Sequence, residues 1–227
     1  PGLLASVRRA FARTPSITLP AGSLWDELAS AGEPRLGLPG SGSDFAVFAH
    51  HFALPVLDFS LGGAEGGQYH TAFDDFECVD RFLDPGFVGH ELAGRALFEL
   101  MVGFTAAAGQ VLDGRALGAR FAEEARALGD ERDDDEGAWF GTARAERLAA
   151  AFEAVASDVD LLRALRVDGG LEGRPWFANA LWAPGLETGY AAETFPTLRA
   201  AARRSAADLD DALNTLVERL ERAGGTR

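Results

Sequence analysis

Apolar residues near the start of the chain recur at helical spacing. Leu3, Leu4, Val7 and Phe11 share one side of a helix, so Pro1 to Arg13 reads as an amphipathic helix that ends before Pro15. Ser23 is placed to cap a second short helix, Leu24 to Ala29. Gly32 to Gly42 is rich in Gly and Pro and reads as a loop. A helix carrying Phe45, Phe48, Ala49 and Phe52 follows, with Asp44 as its expected cap. The apolar run Pro55 to Leu61 reads as a buried strand, and the glycines of Gly62 to Gly67 as a turning loop.

The pattern then changes to long helical stripes. Leu92, Ala96, Leu97, Leu100, Met101 and Phe104 form one. Leu148, Phe152, Val155, Val159 and Leu162 form a second, and Leu198, Ala202, Leu209, Leu213, Leu216 and Leu220 a third. The acidic run within Gly129 to Gly137 reads as a solvated loop, because like charges repel and stay wet. Gly169 to Leu186 reads as irregular. Loops, glycines and one strand lie before residue 108 and alanine-rich helices after it, so a domain boundary is expected there. The fold class is mostly α, with a helical bundle in the second half.

Composition narrows the function. The net charge of -14 argues against a nucleic-acid partner, since phosphates meet repulsion over most of the surface. No run approaches the ~20 apolar residues of a membrane-spanning helix. A single cysteine, Cys78, excludes an intrachain disulfide framework and a cysteine-based zinc cluster. All 21 basic residues are arginine, which removes lysine-dependent phosphate loops and Schiff-base chemistry. The first residue is Pro1, so the chain is expected to be processed, truncated or part of something longer.

Few residues are left to carry chemistry. His70 follows the glycine-rich loop after the expected strand. It reads either as an ordinary loop histidine or as one metal ligand, with Asp74 close enough in sequence to orient the ring. Tyr69 reads either as a half-buried aromatic or, beside a metal, as a hydrogen-bond donor to a developing oxyanion. His50, His51 and His90 read as packing or surface residues. Cys78 reads as a small buried hydrophobe. Gly40 to Asp44 lacks the pattern of a serine nucleophile elbow and reads as a helix cap or as a rim facing a ligand. Tyr190 sits near two glycines in a turn.

Five runs together resemble the glutamate carboxypeptidase II and transferrin receptor family of di-zinc exopeptidases. They are Ser23 to Leu28 (SLWDEL), Gly40 to Phe48 (GSGSDFAVF), Tyr69 to Glu77 (YHTAFDDFE), Asp84 to Phe87 (DPGF) and Trp182 to Pro196 (WAPGLETGYAAETFP). The resemblance implies that residues 1–107 are the C-terminal part of an α/β zinc-peptidase domain and that 108–227 form a helical dimerisation domain. It gives Tyr69 the role of stabilising the tetrahedral intermediate and His70 that of ligating one of two zinc ions. It makes Gly42 and Ser43 lining of the substrate cleft, and it folds the Tyr190 segment into the pocket for the substrate's terminal residue. The implied protein is a homodimer that cleaves peptides.

The family's remaining ligands and its general-base glutamate precede the matched runs, so this segment alone is expected to be inactive. Ser43, Gly189 and the run Leu57 to Ser60 stand where glutamate-preferring members carry an asparagine, a lysine and an arginine cluster. An acidic preference therefore does not carry over. The alternative reading is a non-catalytic dimerisation or receptor-like module. The pair Tyr69-His70 favours the peptidase, because the receptor branch lacks the histidine.

Overall fold

A computed structural model describes residues 3–32, 37–62, 67–106, 114–130, 140–155, 164–186 and 189–225. The acidic run 131–137 and the positions Val159 and Leu162 lie outside them. The chain is mostly helical and divides into two compact units. One comprises Pro1–Leu36 and Phe59–Val111, the other Gly37–Asp58 and Leu112–Arg227.

In the first unit, α1 (Leu3–Arg13) packs on α2 (Leu24–Ser30) and on the long α3 (Val88–Ala106). Val7, Ala10 and Phe11 of α1 are buried, as are Leu24 and the α3 residues Leu92, Ala96 and Leu100. Ser23 caps α2 as its sequence demands. Its Oγ accepts the Asp26 N–H, and the Asp26 carboxylate accepts the Ser23 N–H in return. The apolar stripe of α3 is wider than its cover. Leu97 and Met101 of that stripe remain exposed, as does Phe98 beside them.

The expected buried strand at Pro55 to Leu61 is not formed. Among the described residues the segment carries no strand pairing, and none of its residues is buried. A strand is completed by a neighbour's N–H and C=O groups, and an apolar run supplies only one side of that ladder.

The second unit is built on α4 (Gly114–Asp130), α5 (Thr142–Glu153), α6 (Pro196–Ala202) and α7 (Ala206–Gly225). α4 packs on α5, α5 on α7 and α6 on α7. The third apolar stripe is thus two helices and not one. Ser205 interrupts it by accepting the Asp208 N–H at 3.0 Å, which starts α7 afresh. The core centres on Phe121, Phe140, Phe152, Phe195, Leu148, Leu198, Leu209 and Leu213. A short antiparallel hairpin joins it, β1 (Trp182–Pro184) with β2 (Ala192–Thr194), in the register Trp182 to Thr194. Residues before the expected boundary belong here too: Ala49 is buried in this core, and Leu38, Phe45 and Val56 pack against it.

Two glycines set how closely α4 and α5 approach. A Cβ on Gly118 would lie 2.4 Å from the Phe152 carbonyl oxygen, and one on Gly129 2.6 Å from the Ala145 Cβ. Alanine within a helix is ordinarily about 1 kcal/mol better than glycine. Here Gly118→Ala is expected to reverse that sign and cost about 1–3 kcal/mol, because the obstacle is backbone. Urea unfolding measures it, and a gain in stability overturns the packing argument.

Candidate functional site

The hairpin of the second unit carries Tyr190 at its tip. Below the tip, the Gly185 N–H donates to the Ala191 carbonyl at 2.8 Å and the Gly189 N–H to the Gly185 carbonyl at 3.1 Å. Gly189 takes a φ of 69°, a left-handed turn conformation that glycine adopts without strain. The Tyr190 side chain is 75% exposed.

The loop at 40–43 lies against this tip. Gly40 meets the Tyr190 backbone so closely that a Cβ there would stand 1.5 Å from the Tyr190 carbonyl oxygen. The Ser41 hydroxyl donates to the Gly189 carbonyl. A Cβ on Gly42 would reach the Tyr190 ring at 4.0 Å. The structure therefore brings Gly42 and Tyr190 together, with Ser43 exposed beside them.

His50 is the residue that sequence reasoning undervalued. Its ring is fully buried, and its Nε2–H donates to the Gly40 carbonyl at 2.6 Å. It lies on the π-helical turn Val47–His51, where the sequence shows only two adjacent histidines on a helix. No periodicity marks which of them turns inward. His51 instead stacks on Trp176, with ring centroids 5.0 Å apart.

Tyr69 and His70 lie in the first unit. Their rings stack at 3.8 Å between centroids, and both side chains are exposed, Tyr69 to 73%. His70 has a φ of 61°, and its backbone N–H donates to the Asp74 carboxylate at 3.0 Å. Asp74 therefore fastens the turn through the His70 backbone. Asp75 accepts the Cys78 N–H at 2.8 Å and starts the helical turns that follow. Cys78 is half-buried.

Zinc requires three or four converging donors. Among the described residues no three His, Cys, Asp or Glu side chains converge in this way. The carboxylates nearest His70 in sequence hold local turns. The described residues thus do not by themselves fit a zinc site.

Asp84 anchors the start of α3. Its carboxylate accepts the Gly89 N–H at 2.9 Å, the His90 N–H at 3.0 Å and the His90 Nδ1–H at 2.6 Å. These bonds, the His90 side chain foremost, pull its pKa from 3.8 to about 2. A lowered carboxylate pKa contributes stability above the unfolded value, and that contribution is lost as the pH falls through the folded value. Amides at the start of α3 are expected to lose hydrogen-exchange protection between pH 4 and about 2. In Asp84→Asn that acid step should disappear; its persistence would assign it elsewhere.

A cavity of about 290 Å³ opens in the second unit, lined by Leu171, Arg174, Leu186, Ala201, Arg203 and Arg204 among others. Its guanidinium groups face carboxylates, Arg174 and Arg203 the shared Glu193 and Arg204 Glu172. Arg204 also pairs with Asp208, so each of the three guanidinium groups has a carboxylate partner within the protein.

Comparison with known proteins defines the class. Residues 118–226 match the transferrin receptor-like dimerisation domain. Mouse aminopeptidase NAALADL1 is 39% identical over 69 residues, covering 27% of this chain and 9% of the relative. A probable glutamate carboxypeptidase of Arthroderma benhamiae is 27% identical over 206 residues, 77% of this chain and 28% of the relative. Arabidopsis thaliana probable glutamate carboxypeptidase LAMP1 is 26% identical over 187 residues, 71% of this chain and 26% of the relative. Residues 118–226 thus belong to the transferrin receptor-like dimerisation domain family, and over most of its length the chain is similar to glutamate carboxypeptidases. It spans less than a third of the length of these relatives.

Proposed function

We propose that this chain is the C-terminal part of a zinc-dependent exopeptidase of the carboxypeptidase or dipeptidase type. In this reading residues 1–107 finish an α/β peptidase domain, and 108–227 join two copies into a homodimer. The observation that carries it is the match to a probable glutamate carboxypeptidase over 77% of the chain, more than either compact unit contains. The loop at 40–43 and the Tyr190 hairpin together would form a rim for the terminal residue of a peptide. Tyr69 would donate its phenolic hydrogen to the oxyanion that develops on the scissile carbonyl. His70 would ligate one of two zinc ions, whose other donors would come from the rest of the protein.

The test uses the full-length protein and short peptides with free termini. Release of the terminal amino acid by the wild type, and its loss in a folded His70→Ala variant together with bound zinc, is the expected result. An inert wild type, or full turnover and full zinc in His70→Ala, overturns it. The second reading, a non-catalytic dimerisation module, is favoured by the dimerisation-domain match. An inert wild type that sediments as a dimer selects that reading.

A further inference from the structure

We propose that His50 is the positioning residue of the Tyr190 hairpin, acting through Gly40 and Ser41. The consequence for substrate rests on the peptidase reading, whereas the positional effect does not.

His50 sits on a fixed base. The His50 carbonyl accepts the Ala178 N–H at 2.6 Å, and the preceding Ala49 carbonyl accepts the Asn179 side-chain N–H at 3.0 Å. Asn179 is itself buried, and its Oδ1 accepts the Leu181 N–H at 2.9 Å. The turn at 47–51 is therefore bolted to the segment that leads into β1. From that base the imidazole reaches Gly40. A carbonyl oxygen only accepts, so the proton lies on Nε2.

The other ring nitrogen is unusual. His50 Nδ1 is buried and has no hydrogen-bond partner among the described residues. Around the ring stand Phe177 and Trp182, with centroids at 6.1 and 6.3 Å in edge-on arrangement. An aromatic or aliphatic side chain would fill this space between aromatic rings without a buried Nδ1 left unmatched. What histidine adds is its single bond to Gly40.

That bond has a mechanical target. Gly40 touches the Tyr190 carbonyl through its backbone, in a space where no side chain fits, and the next residue hydrogen-bonds the Gly189 carbonyl. Among the described residues this grip is on the Tyr190 backbone, and its ring is largely exposed. Among the described residues of this turn Gly185, Gly189 and Ala191 hydrogen-bond to one another, and two of the three are glycines, so a tie from outside the turn sets where Tyr190 sits.

Hydrogen exchange followed by mass spectrometry on the full-length protein tests this. Removing one tie of this kind in His50→Leu is expected to speed exchange across 185–191 by about three- to tenfold, while peptides of α4, α5 and α7 keep their protection. His50→Gln, whose side-chain amide can place an N–H near the position of Nε2, is expected to restore the wild-type rate. On a peptide substrate, KM should rise in His50→Leu with kcat changed less, as befits lost positioning at a binding rim. Unchanged exchange at 185–191 in folded His50→Leu, or no rescue by a folded His50→Gln, overturns the proposal. Should His50→Leu not fold, Ser41→Ala cuts the next link and is read the same way. Should the protein not hydrolyse peptides, the peptidase reading falls and the exchange rates still decide the role of His50.

Discussion

Phe152→Ala is expected to remove about 3–5 kcal/mol from the stability of the helical unit. The side chain is fully buried on α5. Its ring lies 5.6 Å from that of Phe121 on α4 and 6.0 Å from that of Phe195 at the entrance to α6. Phe121 in turn stacks on Trp182 of β1 at 5.9 Å. One truncation therefore loosens contacts to two other helices and, through Phe121, to the hairpin. The cavity is hard to close, because α4 already meets the Phe152 backbone at Gly118. Domains are commonly stable by about 5–15 kcal/mol, so this variant approaches the unfolding threshold. Denaturant titration should give a lower midpoint with a similar slope. A loss below about 1 kcal/mol, the range of surface substitutions, would show that the aromatic cluster is not the core.

Tyr69→Phe in the full-length protein is expected to lower kcat by roughly 10²–10³, about 2.7–4 kcal/mol in the barrier, with little change in KM. This rests on the proposed role of the phenol as oxyanion donor. The structure makes the variant clean. Tyr69 is largely exposed and its ring stacks on His70, an interaction that phenylalanine keeps. Stability should therefore be unchanged, and lost turnover reports on chemistry. An unchanged kcat would remove Tyr69 from the mechanism while leaving the family membership intact.

Elements that close their own hydrogen bonds were legible in the amino-acid order. α1 spans the residues its spacing predicts, and Ser23 caps α2 through a bond only three residues long. The break between α6 and α7 was missed because apolar spacing runs on through it, while the Ser205 cap is a single polar signal. The expected strand at Pro55 to Leu61 failed for the opposite reason, since its hydrogen bonds would have to come from other segments.

The candidate site divides along the same line. Tyr69 and His70 are neighbours in sequence, so their pairing needed no fold to reveal it. Gly40 and Tyr190 are far apart in the chain, and only packing brings the loop to the hairpin.

By itself, then, the sequence determined α1, α2 with its Ser23 cap, the mostly helical class and the family resemblance, because each depends on spacing over a few residues or on short runs that survive in order. Tertiary structure alone decided that residues 37–58 join the helical core, that His50 rather than His51 turns inward, and that the loop at 40–43 seats on Tyr190. Those are contacts between distant segments, settled by which surfaces bury one another and which buried carbonyls find a donor.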